Sequence, residues 1–234
     1  VAKSYVFPKS FELKHTEIKN QGSVGSCVAH AVSEVLESYD SICYSTAWIY
    51  GYRPFTYFQG VGMITSQALK TVRNVGYLTD NQCPGNVEMN AAKKQIDLRL
   101  NEYKQSAKHR TIAAYASLKN INEIKQALIQ TNTPVLLVLS IDDNGLRLSK
   151  SYVANKPTST KEGNLHAVMC YGWNEKGLLI QNSWGKNWGK NGTFIIPFDY
   201  PIKESWLITF NKDDVKKPTF YFIRRLLQKI TTLL

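Results

Sequence analysis

The stretch Asn20-Gln-Gly-Ser-Val-Gly-Ser-Cys27, followed by Val28-Ala-His-Ala-Val-Ser-Glu-Val-Leu36, decides the reading of this 234-residue chain. Gly22 and Gly25, set among small polar residues, mark a turn. Beyond it, Val28, Ala31, Val32, Val35, Leu36 and Tyr39 recur at helical spacing, which predicts a helix from Ser26 or Cys27 to about Tyr39. The pattern puts a thiol in the first turn of that helix. Unpaired backbone N–H groups and the macrodipole favour negative charge there, and a thiolate is the form of cysteine that acts as a nucleophile. Gly22 and Gly25 also let the backbone just ahead of the helix come close to a bound substrate.

Cys27 is one of four cysteines, with Cys43, Cys83 and Cys170, and the default role of such a residue is a buried thiol. A nucleophile needs a base, and the base needs a group that orients it. Four histidines are available: His15, His30, His109 and His166. His30 shares the helix with Cys27, but nothing local marks an orienting group, so it reads as a side chain of the first helical turn. His166 opens the apolar run in Gly163-Asn-Leu-His-Ala-Val-Met-Cys-Tyr-Gly172. Asn182 follows in Gln181-Asn-Ser-Trp-Gly185. A hairpin turning at Trp173–Gly177 brings Asn182 back beside His166.

Outward from these motifs, the first half of the chain is mainly helical. Further helices are expected at 46–52, at 66–74 with a stop at Gly76, over the polar stretch 88–108, and at 121–131. Strands are expected at 112–116, 134–141, 166–172, 177–182 and 193–196. This segregation predicts an α+β protein with a helical lobe over about 20–110 and a β lobe over about 111–215 joined by the N-terminal segment. The run Pro134-Val-Leu-Leu-Val-Leu139 is too short to span a bilayer and reads as a buried strand. Residues 216–234 differ in character. Phe220, Ile223, Leu226, Leu227, Ile230 and Leu234 alternate with Arg224, Arg225 and Lys229 at helical spacing, a pattern for an anionic surface, a partner, or the chain's own body.

Composition sets bounds. A hydrophobic content of 43% supports a sizeable core, and a net charge of +11 gives a basic surface. The scattered lysines and arginines carry no nucleic-acid-binding signature. With Cys27 reserved for chemistry, the three remaining cysteines allow at most one disulfide, for which Cys43–Cys83 is the least implausible pairing. No paired Cys/His spacing suggests a metal, and no cofactor is implied. No signal peptide is visible, and the start at Val1 rather than Met is expected of a processed or trimmed product.

The stretch Gln21–Cys27, the strand His166-Ala-Val168 and the loop Asn182-Ser-Trp-Gly-Lys-Asn-Trp-Gly-Lys-Asn-Gly192 together resemble the papain family of cysteine peptidases. The separations, 166 − 27 = 139 and 182 − 27 = 155, sit close to the family's roughly 130–150 residues. The resemblance covers about residues 5–210. It implies a two-lobed fold with the cleft between a helical lobe and an antiparallel, barrel-like β lobe, and hydrolysis of polypeptides. It implies Cys27 as nucleophile, His166 as base and acid, Asn182 as the orienting group and Gln21 as an oxyanion-hole donor. Trp184 resembles the indole that shields the His–Asn bond, Trp188 a second cleft aromatic, and Gly62 a glycine that pairs with substrate backbone. Met63 stands where a second cleft glycine is usual and is expected to line a substrate pocket.

Departures are also plain. Val24 replaces a family cysteine, Val28 a family tryptophan, and Leu165 a more polar residue. Such changes suit bacterial or phage relatives and a secreted, cell-surface or virion setting. The alternatives are a cell-wall amidase or other cysteine acyl-transfer enzyme, and a binding module that works through its basic tail.

Overall fold

A computed structural model describes residues 6–53, 62–85, 89–158 and 164–210. The expected basic helix over 216–234 therefore lies outside the described residues.

The helix predicted after the glycine turn is α1 (Cys27–Asp40). It ends at Ser41, whose left-handed backbone (φ 64°) returns its N–H to the Glu37 carbonyl. Helix α2 (Thr46–Gly51) starts at Ser45, whose hydroxyl accepts the Trp48 N–H and so satisfies one orphan donor of the first turn. Helix α3 (Thr65–Asn74) stops just before Gly76, as its sequence suggests. There φ is +99°, and a Cβ would lie 2.0 Å from the Ala107 carbonyl oxygen. The polar stretch that follows forms two helices, α4 (Met89–Leu98) and α5 (Leu100–Ala107). Helix α6 (Ile121–Thr131) is capped by Asn120, which accepts the Glu123 N–H, and buries Ile124, Ala127 and Leu128.

The strands are β1 (Phe11–Glu12), β2 (Ala114–Ser117), β3 (Val135–Ser140), β4 (Leu165–Asn174), β5 (Gly177–Gln181), β6 (Thr193–Ile196) and β7 (Ile202–Thr209). They make one antiparallel sheet in the order β2-β7-β3-β4-β5-β6, with β1 added on β4. Two of these strands are additions to the sequence reading. β7 carries Lys203, Glu204 and Ser205 in its first half, which hides its alternation, yet it lies between β2 and β3. β1 is only two residues long and has no period to detect.

The sheet divides the core into two clusters. Leu136 and Val138 of β3, with Ala167, Met169 and Tyr171 of β4, pack against α1, α2 and α3. Leu137, Leu139, Val168, Cys170 and Ile180 pack on the other side with α6, Phe194 and Trp173. Every residue of β3 is buried, so its sequence is a continuous apolar run rather than an alternation. All four cysteines are unbridged. This corrects the Cys43–Cys83 expectation: Cys43 is on the surface, whereas Cys83 is buried beneath α2, its carbonyl bonded to the Ser45 hydroxyl.

Candidate active site

Cys27 occupies the first position of α1 and is half-buried against the first core cluster. The preceding Ser26 makes no side-chain cap; its hydroxyl meets His30 Nδ1 at 3.2 Å instead. The first-turn N–H groups of α1 are thus left to other acceptors. The backbone amides of Cys27 and Val28, and that of Ala167 on β4, act on the Cys27 thiol and lower its pKa, while burial pushes it up more strongly. Contact with Ala167 brings the thiol to the strand residue next to His166. Gly25, half-buried, belongs to the bend just before the helix.

His166 is 4% exposed, near the start of β4. Its Nε2 lies 2.7 Å from Asn182 Oδ1. The β4–β5 hairpin makes this contact: Asn174 Oδ1 accepts the Lys176 N–H in the turn, and Met169 pairs with Gln181, so Asn182 leaves β5 beside His166. Asn182 Oδ1 also accepts the Ser183 N–H at 2.9 Å, which identifies that atom as the carbonyl oxygen. His166 Nε2 must then carry the hydrogen, and Nδ1 is left as the proton acceptor. Burial depresses the imidazole to about 4, opposed by its bond to Asn182. Trp184 stacks on His166 with ring centroids 4.5 Å apart, and Trp188 meets Trp184 edge-on at 5.0 Å and Phe194 at 5.2 Å. Trp184 therefore covers the His166 ring, and Trp188 supports Trp184 from the second core cluster.

Gln21 is fixed at both ends of its amide. Its Nε2 donates to the Val24 carbonyl at 2.8 Å, and its Oε1 accepts the Ser183 hydroxyl at 2.7 Å. The Gln21 backbone N–H is bonded to the Ser183 carbonyl at 2.8 Å. One Nε2 hydrogen remains for another acceptor. Ser183 was not singled out from sequence; its place between Asn182 and Trp184 was the available signal. A cavity of about 250 Å³ opens beside Gln21, lined by Gly22, Val24, Ser26, His30, Thr46 and Tyr50 among others.

The expected substrate-binding residues are less tightly gathered. Gly62 and Met63 lie on the helical lobe just before α3, both partly exposed. Gly62 N–H approaches the Tyr50 hydroxyl at 3.5 Å, and Met63 packs on the first core cluster. No group of His, Cys, Asp and Glu suited to a metal ion occurs among the described residues.

A family model described as papain family cysteine protease matches residues 55–201, more than half of the chain. A peptidase C1-like protein of Acanthamoeba polyphaga mimivirus is 33% identical over 98 residues, a match covering 38% of this chain and 31% of that protein. Mexicain of Jacaratia mexicana is 25% identical over 190 residues, covering 80% of this chain and 86% of mexicain. The chain thus spans about a third of the first relative and most of the second. Among solved structures, xylellain, a cysteine protease from Xylella fastidiosa, shares the fold with a TM-score of 0.68 at 20% identity, covering 88% of each chain.

Proposed function

The chain belongs to the papain family of cysteine proteases, and from that premise we propose that it is an endopeptidase whose catalytic set is Cys27, His166, Asn182 and Gln21. The observation that carries this reading is the 2.7 Å contact between His166 Nε2 and Asn182 Oδ1, with the Asn182 carboxamide fixed by the Ser183 N–H. It leaves the imidazole with Nδ1 as the acceptor and Nε2 as the anchored N–H.

Burial works against a lone thiolate and a lone imidazolium alike. Moving the proton from Cys27 Sγ to His166 Nδ1 creates both charges side by side, so their attraction offsets the two penalties. Sγ then adds to the scissile carbonyl carbon, and the electron pair of the C=O moves to oxygen. The backbone N–H of Cys27 and the remaining Nε2 hydrogen of Gln21 stabilise that oxyanion. Collapse re-forms the C=O and breaks the C–N bond, while His166 gives its proton to the leaving amine. Water, deprotonated by His166, attacks the thioester; the new carboxylic acid leaves, and the proton returns to Sγ. Trp184 over the ring keeps water from the His166–Asn182 bond, and Asn182 holds the imidazole in register. Gly25, Gly62, Met63 and Trp188 are assigned to substrate binding on the family resemblance.

Digestion of casein and of peptidoglycan by the purified chain tests the reading. Casein should be cut internally and peptidoglycan left intact, with Cys27→Ala reducing cleavage to background. Cleavage of peptidoglycan alone, or casein cleavage that survives in Cys27→Ala, would overturn it.

A further inference from the structure

A carboxyl group lies in the dry joint between the helix that opens with Cys27 and the strand that leads to Asn182. Glu34 sits about two turns along α1 from Cys27 and is 1% exposed. Its Oε1 has no hydrogen-bond partner. The polar group facing it across the joint is the side chain of Gln181, the fully buried last residue of β5. Gln181 and Leu179 lie on the same face of β5, towards the α1 side of the core.

The Gln181 amide is already engaged. Its Oε1 accepts the Thr16 N–H at 3.0 Å, and its Nε2 donates to Thr16 Oγ1 at 2.9 Å and the Glu17 carbonyl at 3.3 Å. Both Nε2 hydrogens have other acceptors, so Glu34 receives only a shared contact. The cation that acts on Glu34 is Lys19, but Lys19 is ion-paired with Glu37 and donates to Ser33 Oγ at 2.6 Å. Glu37, which also accepts the Tyr44 N–H at 2.9 Å, is a like charge one helical turn from Glu34 and opposes its ionisation. From β4 the joint is faced by Ala167, Met169 and Tyr171, and the Tyr171 phenol is itself held neutral, pushed up to about 12 by burial. A carboxylate needs donors at both oxygens, and here Oε1 has none. Burial accordingly holds Glu34 as the neutral acid, pushed up to about 8.

We propose that Glu34 is a positioning residue: as a neutral carboxylic acid it closes the joint between the Cys27 helix and the Asn182 strand, and its ionisation loosens that joint and lowers turnover. This rests on the catalytic set proposed above. The sign follows from the direction of the shift. A carboxyl whose folded pKa lies above its unfolded value contributes stability that is fully present below about 4.5 and is lost as pH rises through about 8.

The test is the pH profile of kcat and of the melting temperature for wild type, Glu34→Gln and Glu34→Leu. If only the protonated form is active, wild-type kcat should fall about tenfold between pH 7 and 9. Glu34→Gln, neutral at every pH, should retain kcat at pH 6.5 within about threefold and move the alkaline limb up by about one pH unit or more. The wild-type melting temperature should fall between about pH 4.5 and about pH 8 and level off above that, and the fall should shrink in both variants. An alkaline limb unchanged in Glu34→Gln, together with parallel melting profiles, would overturn the proposal. Covalent labelling of Cys27 by a peptidyl epoxide at pH 6 reads the proposed function separately. If wild type neither labels nor cleaves peptide, that reading fails, and the melting profiles alone still decide whether Glu34 closes the joint.

Discussion

At the scale of single residues, the site depends on hydrogen-bond accounting. Asn182 offers one carbonyl oxygen to two donors, His166 Nε2 and the Ser183 N–H, while its own Nδ2 is buried without a partner. Asn182→Ala removes an unmet donor as well as an acceptor, so the stability costs partly cancel. The imidazole, by contrast, loses the contact that sets its tautomer. We expect kcat to fall about 100-fold with a melting-temperature shift of only a few degrees, read by peptide hydrolysis and calorimetry. A collapse of the fold with no separate loss of rate would show that Asn182 is structural. Much of this was legible in sequence, because Gln21, Cys27, His166 and Asn182 lie in short motifs of distinctive spacing. The surrounding supports were not. Ser183 and Glu34 have ordinary neighbours, and Glu34 sits where α1 would tolerate a surface charge. Packing of that face of α1 against β4 and β3, with Gln181 alongside, makes it a buried group.

At the scale of elements, the N-terminal segment holds Gln21, the proposed oxyanion-hole donor, in place. Phe11 of β1 stacks on Trp173 at 5.2 Å, Phe7 meets the same ring edge-on at 6.2 Å, and Trp173 Nε1 donates to the Pro8 carbonyl at 3.1 Å. From β1 the chain runs through Thr16 and Lys19, which anchor on Gln181 and Glu37, to Gln21. This crossing requires a glycine beneath it, since a Cβ on Gly172 would lie 2.2 Å from the Phe11 carbonyl oxygen. Gly172→Ala should therefore destabilise the chain by about 2–3 kcal/mol and weaken activity through Gln21. Denaturant unfolding checks the first effect and kcat/KM the second; an unchanged midpoint would mean that β1 shifts freely. The helices α1, α3 and α6 were readable from their apolar period, α6 with its Asn120 cap besides, and the β4–β5 hairpin from its turn residues. β7 was not, because its polar first half and the register shift opposite Val138/Leu139 break the alternation that marks a strand.

At the scale of the whole molecule, one sheet separates two cores and brings the ends of two elements together. The start of α1 supplies the thiol, and the start of β4 supplies the imidazole. That juxtaposition is a consequence of the papain-like fold; the segregation of helical and β halves in sequence foretold an α+β chain, and the resemblance of the three motifs implied the cleft between its lobes. In the proposed mechanism Cys27, and none of the other three thiols, is the activated nucleophile. Burial pushes Cys43, Cys83 and Cys170 up as well, and of the four only Cys27 opens a helix and receives the backbone amide of Ala167, the residue next to His166. Incubation with a peptidyl epoxide at neutral pH, followed by peptide mass mapping, measures this directly. One equivalent of adduct on the Cys27 peptide, lost in His166→Ala, is the predicted result. Labelling of Cys43, Cys83 or Cys170 instead, or labelling of Cys27 undiminished without His166, would contradict it.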